Sequence, residues 1–233
     1  MTDAAQLLAA LDTVRDPELD EPVTSLGFVA SCTVSAEGVA DVRLRLPTYF
    51  CAPNFAFLMV ADAYDAVSRV DGVRRTEVIL EDHFASDAIN SGIAARAGFV
   101  QSFGGLATGE LDDLRTDFLR KAVLAGTDRV CRPLLTAGKT TDELAELTLG
   151  DVPPSADRER LRSRRAELGL PSGDDSALLV DATTGEAIGA QALPLHLRRA
   201  RLTRVSVDAN GGVCRGLLRE RYGTVGVDEE ENQ

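Results

Sequence analysis

Between Leu7 and Leu80 the apolar residues switch from helical spacing to strict alternation, back to helical spacing, and to alternation again. Each switch closes one element and opens another, which leaves few folds open to the chain. Leu7, Leu8, Leu11 and Val14 share a helical face behind a Thr2 or Asp3 cap, and Pro17 stops that helix. Phe28, Ala30, Cys32 and Val34 then alternate with Val29, Ser31 and Thr33. After a Glu37-Gly38 turn, Ala40, Val42, Leu44 and Leu46 alternate with Asp41, Arg43 and Arg45, predicting a hairpin with one buried face. From Pro53, residues such as Leu58, Met59, Ala63 and Val67 restore the helical period, and Asp71-Gly72 closes it. Thr76, Val78 and Leu80 predict a third strand. The order α-β-β-α-β over residues 1–82 is that of a two-layer α+β domain.

A helical extension is expected over 83–150. Ile89, Ile93, Arg96, Val100 and Phe103 share a face that ends at Gly104-Gly105, and Leu111, Leu114, Phe118, Ala122 and Ala125 share another that ends at Gly126. Gly92, Ala95 and Gly98 suit close approach of a neighbouring helix. Thr140 and Glu143 read as a capping box, and Asp151-Val152-Pro153-Pro154 as a linker. Residues 151–225 read as a small α+β region: an arginine-rich helix near 156–168, then a β-rich end with turns at Thr184-Gly185 and Asn210-Gly211. The second turn lies between Leu202–Val207 and Val213–Leu218, a strong hairpin signal. Residues 226–233 form an acidic tail expected to be disordered.

With 37 acidic and 25 basic side chains, the net charge of −12 argues against partners among nucleic acids and anionic membranes. No apolar run approaches membrane-span length and no secretory signal opens the sequence, so the cytoplasm is the expected location. Residues 156–221 hold 12 arginines against 9 acids, which reads as a solvated face or as a docking surface for an acidic partner.

Cys32, Cys51, Cys131 and Cys214 are scattered, without the close pairs of a zinc site or a self-contained cluster site. Cys51 falls between a strand ending near Leu46 and a helix starting near Pro53, where unpaired amides and the positive helix end favour thiolate, the form that binds metal. Thr48 is placed to hydrogen-bond that sulfur; a buried loop cysteine is the other reading. Asp16 and Glu18 supply carboxylates if their loop folds back toward Cys51, and are otherwise turn and capping residues. A carboxylate beside a thiolate opposes its ionisation unless a metal ion separates the charges. Cys32 reads as a strand core residue, and Cys131 and Cys214 have no supporting context. Gly138-Lys139-Thr140 lacks the earlier glycine and strand of a phosphate loop. Glu81, Asp82, His83 and Asp87 read as a solvated helix start, and His196 as a surface residue.

Asp16-Pro17-Glu18, Leu26-Gly27-Phe28-Val29, Thr48-Tyr49-Phe50-Cys51 and Gly72-Val73, in that order and spacing, resemble iron-sulfur cluster assembly domains of the PaaD and SufT type. The resemblance covers the first third of the chain. That family commonly has proline directly after the cysteine, whereas here Ala52 intervenes before Pro53. The resemblance implies an assembly or maturation factor, not an enzyme, that delivers to or targets a client metalloprotein, a multicomponent oxygenase among the candidates. Cys51 is then the metal-binding thiol, and Thr48, Asp16 and Glu18 are its neighbours. One thiol is too few for a stable cluster, so iron or an iron-sulfur cluster is held transiently. A homodimer, a small thiol, another assembly factor or the client completes the ligation. The alternative is a noncatalytic binding or regulatory module of an oxygenase complex in which Cys51 is structural. A cysteine-dependent enzyme is disfavoured, because no histidine lies near Cys51 in sequence.

Overall fold

The computed structural model describes residues 2–107 and 109–223. It is mixed α and β and divides into two compact units, one up to Leu111 together with the chain from Gly211 onward, the other Asp112–Asn210. These units cut the chain elsewhere than at residues 82 and 150, so the Asp151-Val-Pro-Pro segment lies inside the second unit. The expected acidic tail lies outside the described residues.

The first unit opens with α1 (Ala4–Leu11), whose N-terminus is closed by a capping box between Asp3 and Gln6. Strands β1 (Val29–Val34) and β2 (Val39–Arg45) pair antiparallel, with Cys32 opposite Val42 and a register shift between Val29 and Ser31. Helix α2 (Pro53–Ser68) crosses over to β3 (Arg75–Glu81), which pairs parallel with β2 from Val39↔Arg75 to Arg45↔Glu81, in sheet order β1-β2-β3. The alternation in β2 is real: Ala40, Val42 and Leu44 are buried, and they share one core with Leu7, Phe28 and Val60. Burying each large side chain of this kind contributes roughly 2 kcal/mol.

Two glycines in this unit answer to geometry. Gly27 has φ +77°, a left-handed conformation, and a Cβ there would come within 3.2 Å of Leu218. Gly92 lies in α3 (Ser86–Ala94), where a Cβ would collide with Ser102 of α4 (Phe99–Ser102), so ordinary internal packing explains it. The single helix expected over 89–103 is therefore two. The break falls at Arg96 (φ +54°) and Gly98, and Glu110 accepts the amides of Phe99 (2.9 Å) and Val100 (3.3 Å) that open α4.

The second unit contains α5 (Asp112–Thr136), α6 (Thr141–Ala145) with the expected Thr140–Glu143 capping box, and α7 (Ala156–Glu167). Helix α5 does not end at Gly126. That residue lies against α7, where a Cβ would meet Leu161 at 3.3 Å, so the glycine serves helix packing and not termination. The arginine-rich helix is not simply a solvated face, since Arg164 and Arg165 are both buried.

Among the described residues, the expected β-rich end is not found. Residues Leu193–Tyr222 form one helix, α8, counted with the second unit to Asn210 and with the first from Gly211. Its buried positions Leu193, His196, Ala200, Val207, Gly211 and Leu218 recur at helical intervals, while Leu202 and Val213 are 61% and 60% exposed, opposite to what the hairpin required. The Thr184-Gly185 turn does form, closing a lone bridge between Val180 and Ala187. Among the described residues, no helix is long and apolar enough to cross a membrane.

Candidate functional site

The loop from β2 to α2 leaves a sheet pinned by Arg45, which is ion-paired with Glu81 of β3 at 2.9 Å, and buries Leu46 and Pro47 before turning outward. Thr48 Oγ1 accepts the Phe50 amide at 3.2 Å and lies 3.4 Å from Cys51 Sγ, so its hydroxyl hydrogen is available to the sulfur. Cys51 is half-buried. Ala52 is the N-cap of α2 and Pro53 its first residue, which puts Cys51 one residue outside the helix. Among the described residues, the hydrogen bond of Sγ is to Thr48, not to an amide of α2. The inserted alanine thus places the sulfur beside the helix start without seating it on the helix amides.

His83 holds this loop. It is only 2% exposed, its Nδ1 accepts the Ala85 amide at 3.2 Å, and its Nε2 therefore carries the hydrogen donated to the Cys51 carbonyl at 2.7 Å. Burial lowers the His83 pKa; the Cys51 carbonyl opposes that shift and nearby Arg221 adds to it. The expectation of a solvated helix start around His83 is corrected. A second strap, from the Phe84 amide to the Tyr49 carbonyl (3.1 Å), ties the same two turns together. These turns carry an exposed aromatic rim: Phe50 is 77% exposed, and its ring lies 5.0 Å from Tyr49 and 6.0 Å from Phe84.

Asp16 closes its own turn, its Oδ1 accepting the amides of Glu18 (2.9 Å) and Leu19 (2.8 Å). Burial pushes its pKa up to about 6 against those two bonds, with Glu18 and Glu21 adding to the rise. A raised carboxyl pKa makes the protonated form the one that folding favours. Its stabilising contribution is complete below the unfolded value near 4 and lost as pH rises through about 6. Asp16→Asn keeps the accepting oxygen and removes the charge, so it should gain of order 2 kcal/mol over the wild type at pH 7 but not at pH 4. Urea denaturation at the two pH values checks this, and parallel pH profiles would contradict it.

The end of α8 runs past both loops. Arg215 pairs with Glu21 at 2.8 Å and Leu218 is buried against Gly27. Arg221 donates to the carbonyls of Leu46 (3.2 Å) and Asp82 (2.7 Å). Cys214, half-buried one turn before Leu218, has its pKa pushed up to about 11, first by burial and then by the charges of Asp16, Cys51 and Glu18, with Arg215 opposing. The structure therefore brings Thr48 to Cys51, while Asp16, Cys51 and Glu18 act on Cys214 only through their charge. Sequence reasoning missed Cys214 and His83. The signal for the first was the helical interval 214–218–221, hidden by the hairpin reading.

The other cysteines are quiet. Cys32 on β1 is held protonated by burial and by Asp41, and Cys131 is 1% exposed with its pKa pushed up to about 12 by burial and Asp128. His196, expected at the surface, is buried in the second unit near Asp181 and Arg165. Among the described residues, no group of three or more histidine, cysteine or acidic side chains is arranged to hold a metal ion.

Residues 4–80 match a family described as iron-sulfur cluster assembly protein. An uncharacterized protein of Methanocaldococcus jannaschii is 30% identical over 90 residues, covering 39% of this chain and 93% of that protein. No solved structure matches the chain significantly.

Proposed function

The chain belongs, through residues 4–80, to the iron-sulfur cluster assembly proteins, and from that premise we propose that it holds iron or an iron-sulfur fragment transiently at Cys51 and passes it to a client metalloprotein. The observation that carries this reading is the setting of Cys51: half-buried, contacted by the Thr48 hydroxyl, and fixed through its carbonyl by His83. A soft thiolate suits iron and sulfide. A single thiolate leaves most of the coordination sphere to the recipient, which suits cargo meant to leave. The exposed rim of Tyr49, Phe50 and Phe84 next to the thiol offers the aromatic surface that protein interfaces favour, so the client is received where the cargo is held. A multicomponent oxygenase is one client of the required kind. The cytoplasm, where cysteines stay reduced, is the compartment in which this chemistry works.

Cys51→Ser tests the proposal. Apo-client incubated anaerobically with iron, sulfide and the variant should acquire metal at least about 10-fold more slowly than with the wild type, an effect of order 1.4 kcal/mol on the transfer barrier. The far-ultraviolet circular dichroism of the variant should be unchanged. Equal loading by both proteins would sink the transfer role. If complex formation with the client persisted in that case, it would support the noncatalytic binding module instead.

A further inference from the structure

We infer that an apolar groove beside the Cys51 loop receives a positively charged amphipathic helix of the client. The inference rests on the proposed function in calling the owner of that helix the client; the groove and the charge on its border stand on the first unit alone.

Helices α2, α3 and α4 leave a groove of about 600 Å³, lined by Pro53, Phe84, Ala88, Phe99, Phe103 and Leu106. That volume lies in the ordinary range of binding clefts, roughly 300–1,000 Å³. Among its described lining residues only Asn54 is polar. The walls are set before any partner arrives. Phe99 packs against Phe57 and Phe103 at centroid distances of 5.5 and 4.6 Å, and the close approach of Gly92 to Ser102 seats α4 on α3. Leu106 at the groove is 90% exposed, and open apolar surface of this extent marks an interaction site.

The groove runs into the thiol loop. Phe84 lines it and also belongs to the aromatic rim, with its ring 6.0 Å from that of Phe50. Pro53 follows Cys51 by two residues, so their Cα atoms are at most about 7.6 Å apart. A partner seated in the groove is therefore within reach of the cargo.

Charge selects the occupant. Residues 47–60 carry no charged side chain, and residues 82–111 carry Asp82, Asp87 and Glu110 against Arg96. Arg96 is spent over the Tyr64 ring, 5.2 Å from its centroid, and Arg221 reaches the Asp82 carbonyl. Asp87 and Glu110, both exposed and next in sequence to the lining residues Ala88 and Leu111, remain as the acidic border. A second copy of the chain, docked about a two-fold axis, would set this border against itself. The chain's own Asp228–Glu231 run has the same sign. A helix with lysine or arginine beside an apolar stripe satisfies both the groove and its border.

A synthetic peptide of about 15 residues, with leucine at i, i+3, i+4 and i+7 and lysine elsewhere, tests this in calorimetric titration of the full-length protein. It should bind at least about 10-fold tighter than the same residues reordered into strict alternation, or than a version with glutamate for lysine. Leu106→Ser and Ala88→Gln, with circular dichroism as a folding control, should each weaken binding by about 10-fold. Asp87→Lys should weaken it by about 3-fold and flatten its salt dependence. Leu202→Ser, at an exposed position of α8, should bind as the wild type does. Bound peptide should slow amide exchange in α3 and α4. Equal affinity for the reordered peptide, or wild-type affinity in both groove variants, overturns the groove as the seat. Preference for the glutamate peptide overturns the charge assignment, and a sedimenting dimer that Leu106→Ser dissociates would put a second copy there instead. Client loading that does not depend on Cys51 would overturn the proposed function while leaving the peptide result intact. Loading that depends on Cys51 without peptide binding would overturn this inference alone.

Discussion

His83→Ala should destabilise the first unit by about 3 kcal/mol and release the Cys51 loop. The substitution strips the Cys51 carbonyl of its donor and the Ala85 amide of its acceptor, in a place where the imidazole is almost wholly buried. Each buried backbone group left without a partner costs roughly 1–3 kcal/mol, and the missing ring leaves a void beside Phe84, whose centroid lay 4.9 Å away. The readouts are hydrogen exchange at β3 and the 48–52 loop, and the alkylation rate of Cys51, both of which should rise. There is also a pH signature. Because the folded chain lowers the His83 pKa, its contribution is complete above the unfolded value near 6.5 and fades on acidification. The variant should lose that part of the acid sensitivity. Unchanged exchange and alkylation would mean that the imidazole does not hold the thiol loop.

Arg165→Ala should be at least as damaging, in the second unit. Arg165 is 0% exposed, and its guanidinium donates to the carbonyls of Ala177 (2.9 Å) and Leu178. Burial pulls its pKa down to about 10, against the influence of Cys131, so it stays charged at neutral pH. Removing it deletes two charge-assisted hydrogen bonds and strands two acceptors near the apolar residues Leu161 and Leu178, a loss of about 4 kcal/mol. Arg165→Lys should recover about half, because one ammonium cannot reproduce the planar fork that meets both carbonyls. Loss of amide protection in α5 and α7 is the measurement, and wild-type protection in the alanine variant would contradict the assignment.

The elements α1, β1, β2, α2 and β3 were legible because each apolar period ran long enough to override local ambiguity. The α3–α4 break was not, since it depends on a single left-handed residue, Arg96, that no propensity marks. The largest departure, α8, came from trusting a two-residue turn signal at Asn210-Gly211 over the longer helical interval. Gly211 is buried there because a Cβ would press on Glu21 and Arg215, not because the chain reverses. The family motifs located Cys51, Thr48 and the Asp16 loop, yet they end near residue 80 and so could not reach Cys214. Counting arginines between 156 and 221 likewise gave no hint that Arg165 is a core residue, because composition carries no burial. His83 and His196 were misplaced for the same reason: isolated histidines take their setting from contacts made far along the chain.

Since the first unit is built from both ends of the sequence, its order of manufacture matters. A nascent chain that has emerged only to Leu111 carries Cys51 but lacks Leu218 and Arg221. At ordinary translation speeds, the remaining residues take on the order of 10 s to arrive. Until then the carbonyls of Leu46 and Asp82 lack the Arg221 donor, so the thiol loop gains its last brace only after α8 has been made.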